Sequence, residues 1–449
     1  MDTSIIEITR AYTWSNIRVG DLNEALAYAK KIVDGEENNV TDDYIKSLGI
    51  VGAIYEENGD FENALIYCEL CFQNAKEKFE KIQGEPYDIS LLSMACISLG
   101  SLYFKLSRVK DAYLLFNFLY QITSDPVYDD TYNFDLLNTK TLACLYIADL
   151  LIRQETPSLA WPFILEYNKC ITQLLAENHE DIGFKNKLTW SMILFGNYYL
   201  KTSKPDKALE FYTKAEEMAL LLTGRFKDIY PYLHASLALA LEKIATTYMV
   251  MEKYVEAVNY YKKNCALLKH IIKKSGESFV YILNFVVSLQ WMGIAFYKQS
   301  DISRALEYLD KCYSETTKLI QRAPDYAELK RLLTVIYEYR GFAYTDLGKL
   351  NDAEINYLAS YDCINELTKL YPNNPLYKEN AARASWRFGV FLENEMNDKI
   401  RAIVFFKQGH QLYNELAAEY PDTIEYQEKV DMTSEFLRGF AAKECLAFL

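Results

Sequence analysis

Few residues in this chain are of types that do covalent chemistry, and their spacing argues against it. Cys68-x2-Cys71 is the only CxxC. A redox pair of that kind wants a helix N-terminus to stabilise the thiolate. These two cysteines fall inside a helix-periodic stretch, which points to core packing; the alternative is a redox or metal pair. No second CxxC or histidine pair completes a zinc tetrad. His179, His234, His270 and His410 do not pair at metal or triad spacing. Lys274-Ser-Gly-Glu-Ser278 holds one glycine and is not the GxxxxGK of a phosphate loop. No GxSxG, HExxH or kinase motif set occurs. With 62 acidic residues in 449, carboxylate pairs arise by chance on any long helical surface. The reading is therefore no enzyme, no cofactor and no metal.

What the chain does carry is a period. Gly341 to Tyr357 reads GFAYTDLGKLNDAEINY, with small Gly341 and Ala353 on either side of a turn at Gly348. Tyr344 and Tyr357 flank them. Helical spacing puts the small residues where two antiparallel helices cross. The alanine after the turn recurs at Ala25, Ala64, Ala112, Ala160, Ala208, Ala257, Ala305, Ala353 and Ala402, first 39 and then 48 or 49 residues apart. Twelve residues before it stands Gly52, Gly100, Gly196, Gly293 or Gly341, with Ala148 and Ala245 in two other units. In the last unit Gly389 is thirteen back. A fixed period of this length means a solenoid of stacked units.

These residues resemble the tetratricopeptide repeat, whose pattern is W-x2-L-G-x2-Y, then A-x3-F, then A, then P. Gly341, Tyr344, Ala353 and Tyr357 match it, as do Gly52, Tyr55 and Ala64, and Gly196, Tyr199, Ala208, Tyr212 and Ala215. Gly293, Phe296, Ala305 and Leu309 match more loosely. The resemblance covers residues 11 to 420. The departure is the period, which is about 34 residues in the family. The surplus, shared by two helices, is about seven residues each, or nearly two turns. Two whole turns lengthen a helix to about 20 residues and 30 Å without rotating its buried stripe. Long-period forms resemble the arrays of bacterial signalling and defence proteins. The fold class implied is all-α: a helical-hairpin solenoid with a right-handed superhelix. It would form one domain over 1–449, with about nine helix pairs over 4–420 and a capping helix over 424–449.

In the family the first helix of each pair lines a concave groove. Carried over by register, that face comprises Leu142, Leu145, Asp149 and Arg153, then Trp190, Ile193, Asn197 and Lys201. Glu242, Thr246, Gln290, Ile294, Tyr297, Lys298, Glu338, Phe342, Arg383 and Trp386 continue it. Apolar anchors mixed with amides and cations suit a peptide, whose backbone carbonyls need donors. Asn197 matches the position where relatives hold a bound backbone. The rival reading is that the longer helices close this face, leaving Trp190 and Trp386 as ordinary core. The carboxylate clamp of chaperone-binding relatives is not supported, because Ile193 and Leu239 stand where it needs lysines.

The remaining features narrow the class. Net charge is −14, which argues against nucleic acid or an anionic membrane as the main partner. MDTSIIEITRAY lacks the basic start and apolar core of a signal peptide. No run approaches 18 consecutive apolar residues, so no segment is expected to cross a bilayer. Nine cysteines without framework spacing indicate a reducing cytoplasm. Ser4-Ile-Ile-Glu7 is a capping box for a first helix. Residues 123–134 are the longest break, and the apolar Cys445–Leu449 either docks on the last repeat or contacts a partner. The function expected is a non-catalytic interaction scaffold or adaptor that binds a peptide segment or partner protein in the groove. The alternative is a regulatory receptor for a short peptide or small molecule. The oligomeric state is left open.

Overall fold

The structure is a computed structural model. It describes residues 22–447 except 37–39, 82–88, 126–133, 155, 227–232, 276–278, 373 and 422. Among the described residues there are eighteen α-helices and no strand. Helix α1 (Leu22–Glu36) precedes eight hairpins. These are α2 (Asp42–Asn58) with α3 (Phe61–Lys81), α4 (Ile89–Lys105) with α5 (Val109–Thr123), α6 (Phe134–Arg153) with α7 (Pro157–Glu177), and α8 (Ile182–Lys201) with α9 (Pro205–Phe226). The others are α10 (Leu233–Val250) with α11 (Tyr254–Ser275), α12 (Phe279–Lys298) with α13 (Ile302–Arg322), α14 (Ala327–Asp346) with α15 (Leu350–Leu370), and α16 (Pro375–Asn394) with α17 (Lys399–Glu419). Helix α18 (Ile424–Ala447) follows. The Ser4–Glu7 box, most of the 123–134 break and the side chains of the C-terminal tail lie outside the described residues.

The turn chemistry repeats with the sequence period. Five residues before the marker alanine, Gly59, Ser107, Ser203, Glu252, Ser300, Gly348 and Asn397 all take a left-handed conformation, with φ between 52° and 81°. The next N–H closes a wide hydrogen bond onto the preceding helix, as in Lys204 to the Tyr199 carbonyl at 2.8 Å and Lys349 to that of Tyr344 at 2.9 Å. This is the Schellman ending, which satisfies orphan carbonyls and reverses the chain. Asp301 and Asp398 then cap the second helix by accepting from the N–H groups of Arg304 and Arg401, each at 3.0 Å. Across the turn the small residue meets a large one. A Cβ on Gly196 would sit 2.4 Å from the Tyr212 ring, and one on Gly341 would sit 3.1 Å from Tyr357. Those glycines are close-approach positions, and the marker alanines beside them are wholly buried.

The chain divides into two compact units, Met1–Ser288 and Leu289–Leu449, with the boundary inside α12. In the first unit a core runs along the hairpins through Ile45, Leu92, Cys96 and Leu119, then through Cys144, Ile164, Tyr167 and Phe184. Phe61 at the start of α3 also meets Phe279 at the start of α12, edge to face at 5.6 Å. In the second unit Tyr357, Phe388, Phe391, Phe406 and Phe440 form one aromatic cluster, so α18 covers the last hairpin. Cys68 and Cys71 are buried, burial pushes each thiol up to about 12, and Cys71 bonds the Ile45 carbonyl. They are core residues.

Helix α12 bears on the expectation about bilayer crossing. It is long and apolar enough, by length and composition, to cross a bilayer. Asn284, Ser288 and Gln290 interrupt its apolar run without adding a charge, which is why a count of consecutive apolar residues passes over it. More than half of its most apolar window, 56%, is buried inside the protein, as suits a helix covered on several sides by neighbours.

Candidate binding groove

In the first unit the first helices of successive hairpins touch one another, α2 with α4, α4 with α6, α6 with α8 and α8 with α10. This contact takes up part of the expected groove face. Ile193 is 2% exposed and wedges between helices. Leu145 packs on the Tyr167–Phe184 core. Asp149 accepts from Arg153 at 2.8 Å, and the Arg153 guanidinium lies over the Phe104 ring. Trp190 is half-buried, with its indole N–H donated to Ser236 Oγ on α10 at 3.1 Å. Lys201 is exposed at the end of α8.

Asn197 is held in one orientation. Its Oδ1 accepts from the Tyr212 hydroxyl at 2.7 Å. Tyr212 itself is wholly buried on α9, so the amide is anchored from behind by its own hairpin. The carbonyl end is used and the NH2 end is left as a donor. The same device recurs one hairpin on, where Thr246 Oγ1 and the Tyr261 hydroxyl are 3.0 Å apart.

One residue on this face was passed over in the sequence. Lys187 stands three residues before Trp190 and ten before Asn197, about 60° and about 80° round α8 from them, at the edge of that face. Its ammonium bonds the Asn138 amide oxygen on α6 and lies 5.5 Å from the Phe184 ring centroid. Among the described residues it bonds no carboxylate. Burial pulls it from the ordinary 10.5 down to about 8, with Asp181 acting weakly the other way. Extending the register one helical turn toward the N-terminus finds it.

The second unit treats its polar groups differently. Gln290 is 3% exposed and donates to the Leu332 carbonyl at 3.1 Å. Glu338, 5% exposed, is ion-paired with Arg387, whose guanidinium covers the Phe342 ring. Tyr297 meets Tyr339 edge to face and stacks on Phe342. Burial and a hydrogen bond to Asp346 both raise its phenol. Trp386 packs at 4.8 Å on Phe406 and 5.0 Å on Phe436, so it serves the junction with α17 and α18. Lys298 is exposed at the end of α12.

This architecture is the tetratricopeptide type of helical hairpin, in a long-period form. Among solved structures, one that superposes is a Rap protein complexed with competence and sporulation factor. It has a TM-score of 0.55 and 12% identity, and the match covers 92% of this chain and 99% of that one. Two others are similar at 12% identity. NprR in complex with its cognate peptide NprX has a TM-score of 0.45, covering 77% of this chain and 89% of its own. Aspartyl phosphate phosphatase F from Bacillus subtilis has 0.44, covering 87% and 94%. These two superpose too loosely to bear on the fold. No family model and no curated protein matches the sequence.

Proposed function

We propose that this protein is a non-catalytic scaffold that holds an extended peptide segment of a partner against the first helices of its middle hairpins. The observation that carries the reading is Asn197. A side-chain amide fixed by a buried tyrosine presents its N–H groups without further ordering, and such preorganisation lowers the entropic cost of binding. Trp190 beside it supplies an aromatic body of the kind that dominates binding energy. A protein of similar fold was crystallised with competence and sporulation factor, which supports a binding role for the fold. Lys201, at the end of α8, is the candidate for a flanking contact in the same unit; Tyr297 and Lys298 belong to the second unit and are not assigned to this site.

The test separates the donor from the scaffold. Asn197→Asp keeps an acceptor for Tyr212 and removes both N–H donors. A peptide captured from a random heptapeptide library by the wild type should bind this variant at least about tenfold more weakly, the scale of a lost buried hydrogen bond. Melting should be nearly unchanged. Equal affinity would remove Asn197 from the site.

A further inference from the structure

We infer that the segment bound along α8 carries a carboxylate, which Lys187 receives. The inference rests on the peptide-binding reading above and specifies its ligand.

The argument starts from cost. An ammonium taken out of water is tolerated when a carboxylate pairs with it. The other partly buried lysines on these elements follow that rule: Lys140 on α6 meets Glu166 on α7 at 3.1 Å, and Lys185 on α8 meets Glu180 at 3.0 Å. Among the described residues Lys187 has only a neutral amide, Asn138, and an aromatic face, Phe184. Charged and titratable groups on the elements around it include Asp135 and Lys140 on α6, Glu166, Tyr167, Lys169, Cys170 and Glu177 on α7, Lys185 on α8 with its N-cap Asp181, Glu216, Glu217 and Arg225 on α9, and His234 on α10. Of these only Asp181 weighs on its protonation. The position is also built. The Tyr167 hydroxyl donates to the backbone carbonyl of Lys187 at 2.7 Å, and Phe134 packs on Phe184 at 5.6 Å. Immediately before it, Asn186 Oδ1 is buried with no partner, an acceptor suited to a backbone N–H.

Geometry sets the ligand's spacing. Ten residues of helix separate Lys187 from Asn197, about 15 Å, which an extended chain covers in about four to five residues. The ligand is therefore an extended peptide with an acidic group that far from the stretch held by Asn197. The acid is a side-chain carboxylate or the chain terminus. Its arrival stabilises the charged amine, so binding takes up protons near pH 8 and weakens as pH rises above it.

The experiment is capture from a synthetic random heptapeptide library, prepared with free and with amidated C-termini, on wild type and on Lys187→Met. Wild type should enrich acidic peptides, and Lys187→Met should enrich peptides without that acid. Enrichment in both preparations assigns a side-chain carboxylate, and enrichment in the free-terminus library alone assigns the C-terminus. A selected peptide should lose about tenfold or more in affinity for Lys187→Met, in line with loss of a desolvated charge pair. It should also weaken between pH 7.5 and 9.5 for wild type only. A wild-type selection without acids, or the same peptides on both proteins, overturns the inference while leaving peptide binding intact. No enrichment from either library overturns both readings. Circular dichroism and melting of Lys187→Met confirm that a loss reflects the site.

Discussion

The two units handle a partly buried cation on the first-helix face in opposite ways. In the second, Arg387 is neutralised by Glu338 and lies over Phe342. In the first, Lys187 has an amide and a ring. A wall whose charges satisfy one another is a packed surface. A wall that keeps a desolvated cation without a counter-charge spends stability on something other than folding. On the proposed function, the contrast marks the Arg387 face as structural and the Lys187 face as the place for recognition.

The scaffold beneath both walls gives the largest effects. Gly196→Ala should destabilise the first unit by about 3 kcal/mol and Gly341→Ala the second by about 1 kcal/mol, following the overpacking scale and the closer approach of Tyr212. Thermal or denaturant unfolding of the two variants checks the order; the reverse order would mean that the Tyr212 ring moves aside freely. The cations should then differ in sign. Arg387→Met leaves Glu338 buried and unpaired and should cost about 2 kcal/mol, below the range for fully buried pairs because the arginine is partly exposed. Adding Glu338→Met should restore most of it. Lys187→Met should instead stabilise by about 1 kcal/mol at pH 7, since a depressed lysine pKa is a folding penalty.

The direction with pH follows from the same shift. Below about pH 8 the amine is charged in both states and the native state bears the full penalty. Between about 8 and the ordinary 10.5 the native amine is neutral while the unfolded one is still charged, so wild type gains stability there. The advantage of Lys187→Met should shrink across that window. Melting of both proteins from pH 7 to 9.5 reads this, and a constant difference would show that Lys187 is not desolvated. The smallest effect lies at the turns. Glu252→Gly should stabilise by about 0.5–1 kcal/mol, because a non-glycine residue in the left-handed region is strained and Glu252 has φ 58°.

Much of this was legible in the sequence because it depends on local spacing. The marker alanines, the glycines twelve back and the turn residues fix hairpins, crossing points and helix length. The left-handed position is hidden at Glu252 and Ser300, since the turn selects it by hydrogen bonding and neither residue advertises it. What Trp190 and Trp386 do was not legible. Both are aromatic residues on first helices, yet one donates to Ser236 and the other meets Phe436 edge to face. Only the packing of the closing helix distinguishes them. Lys187 was missed for a different reason. Its register is plain, but its significance is the absence of an acid from α6 and α7 at the right place, a property of three helices together.

The most direct measurement is hydrogen exchange of the whole protein with and without a captured peptide. The account predicts added protection concentrated in α8 and its first-helix neighbours α6 and α10, and abolished by Asn197→Asp. Protection confined to the second helices α7, α9 and α11, or to the second unit alone, would contradict it.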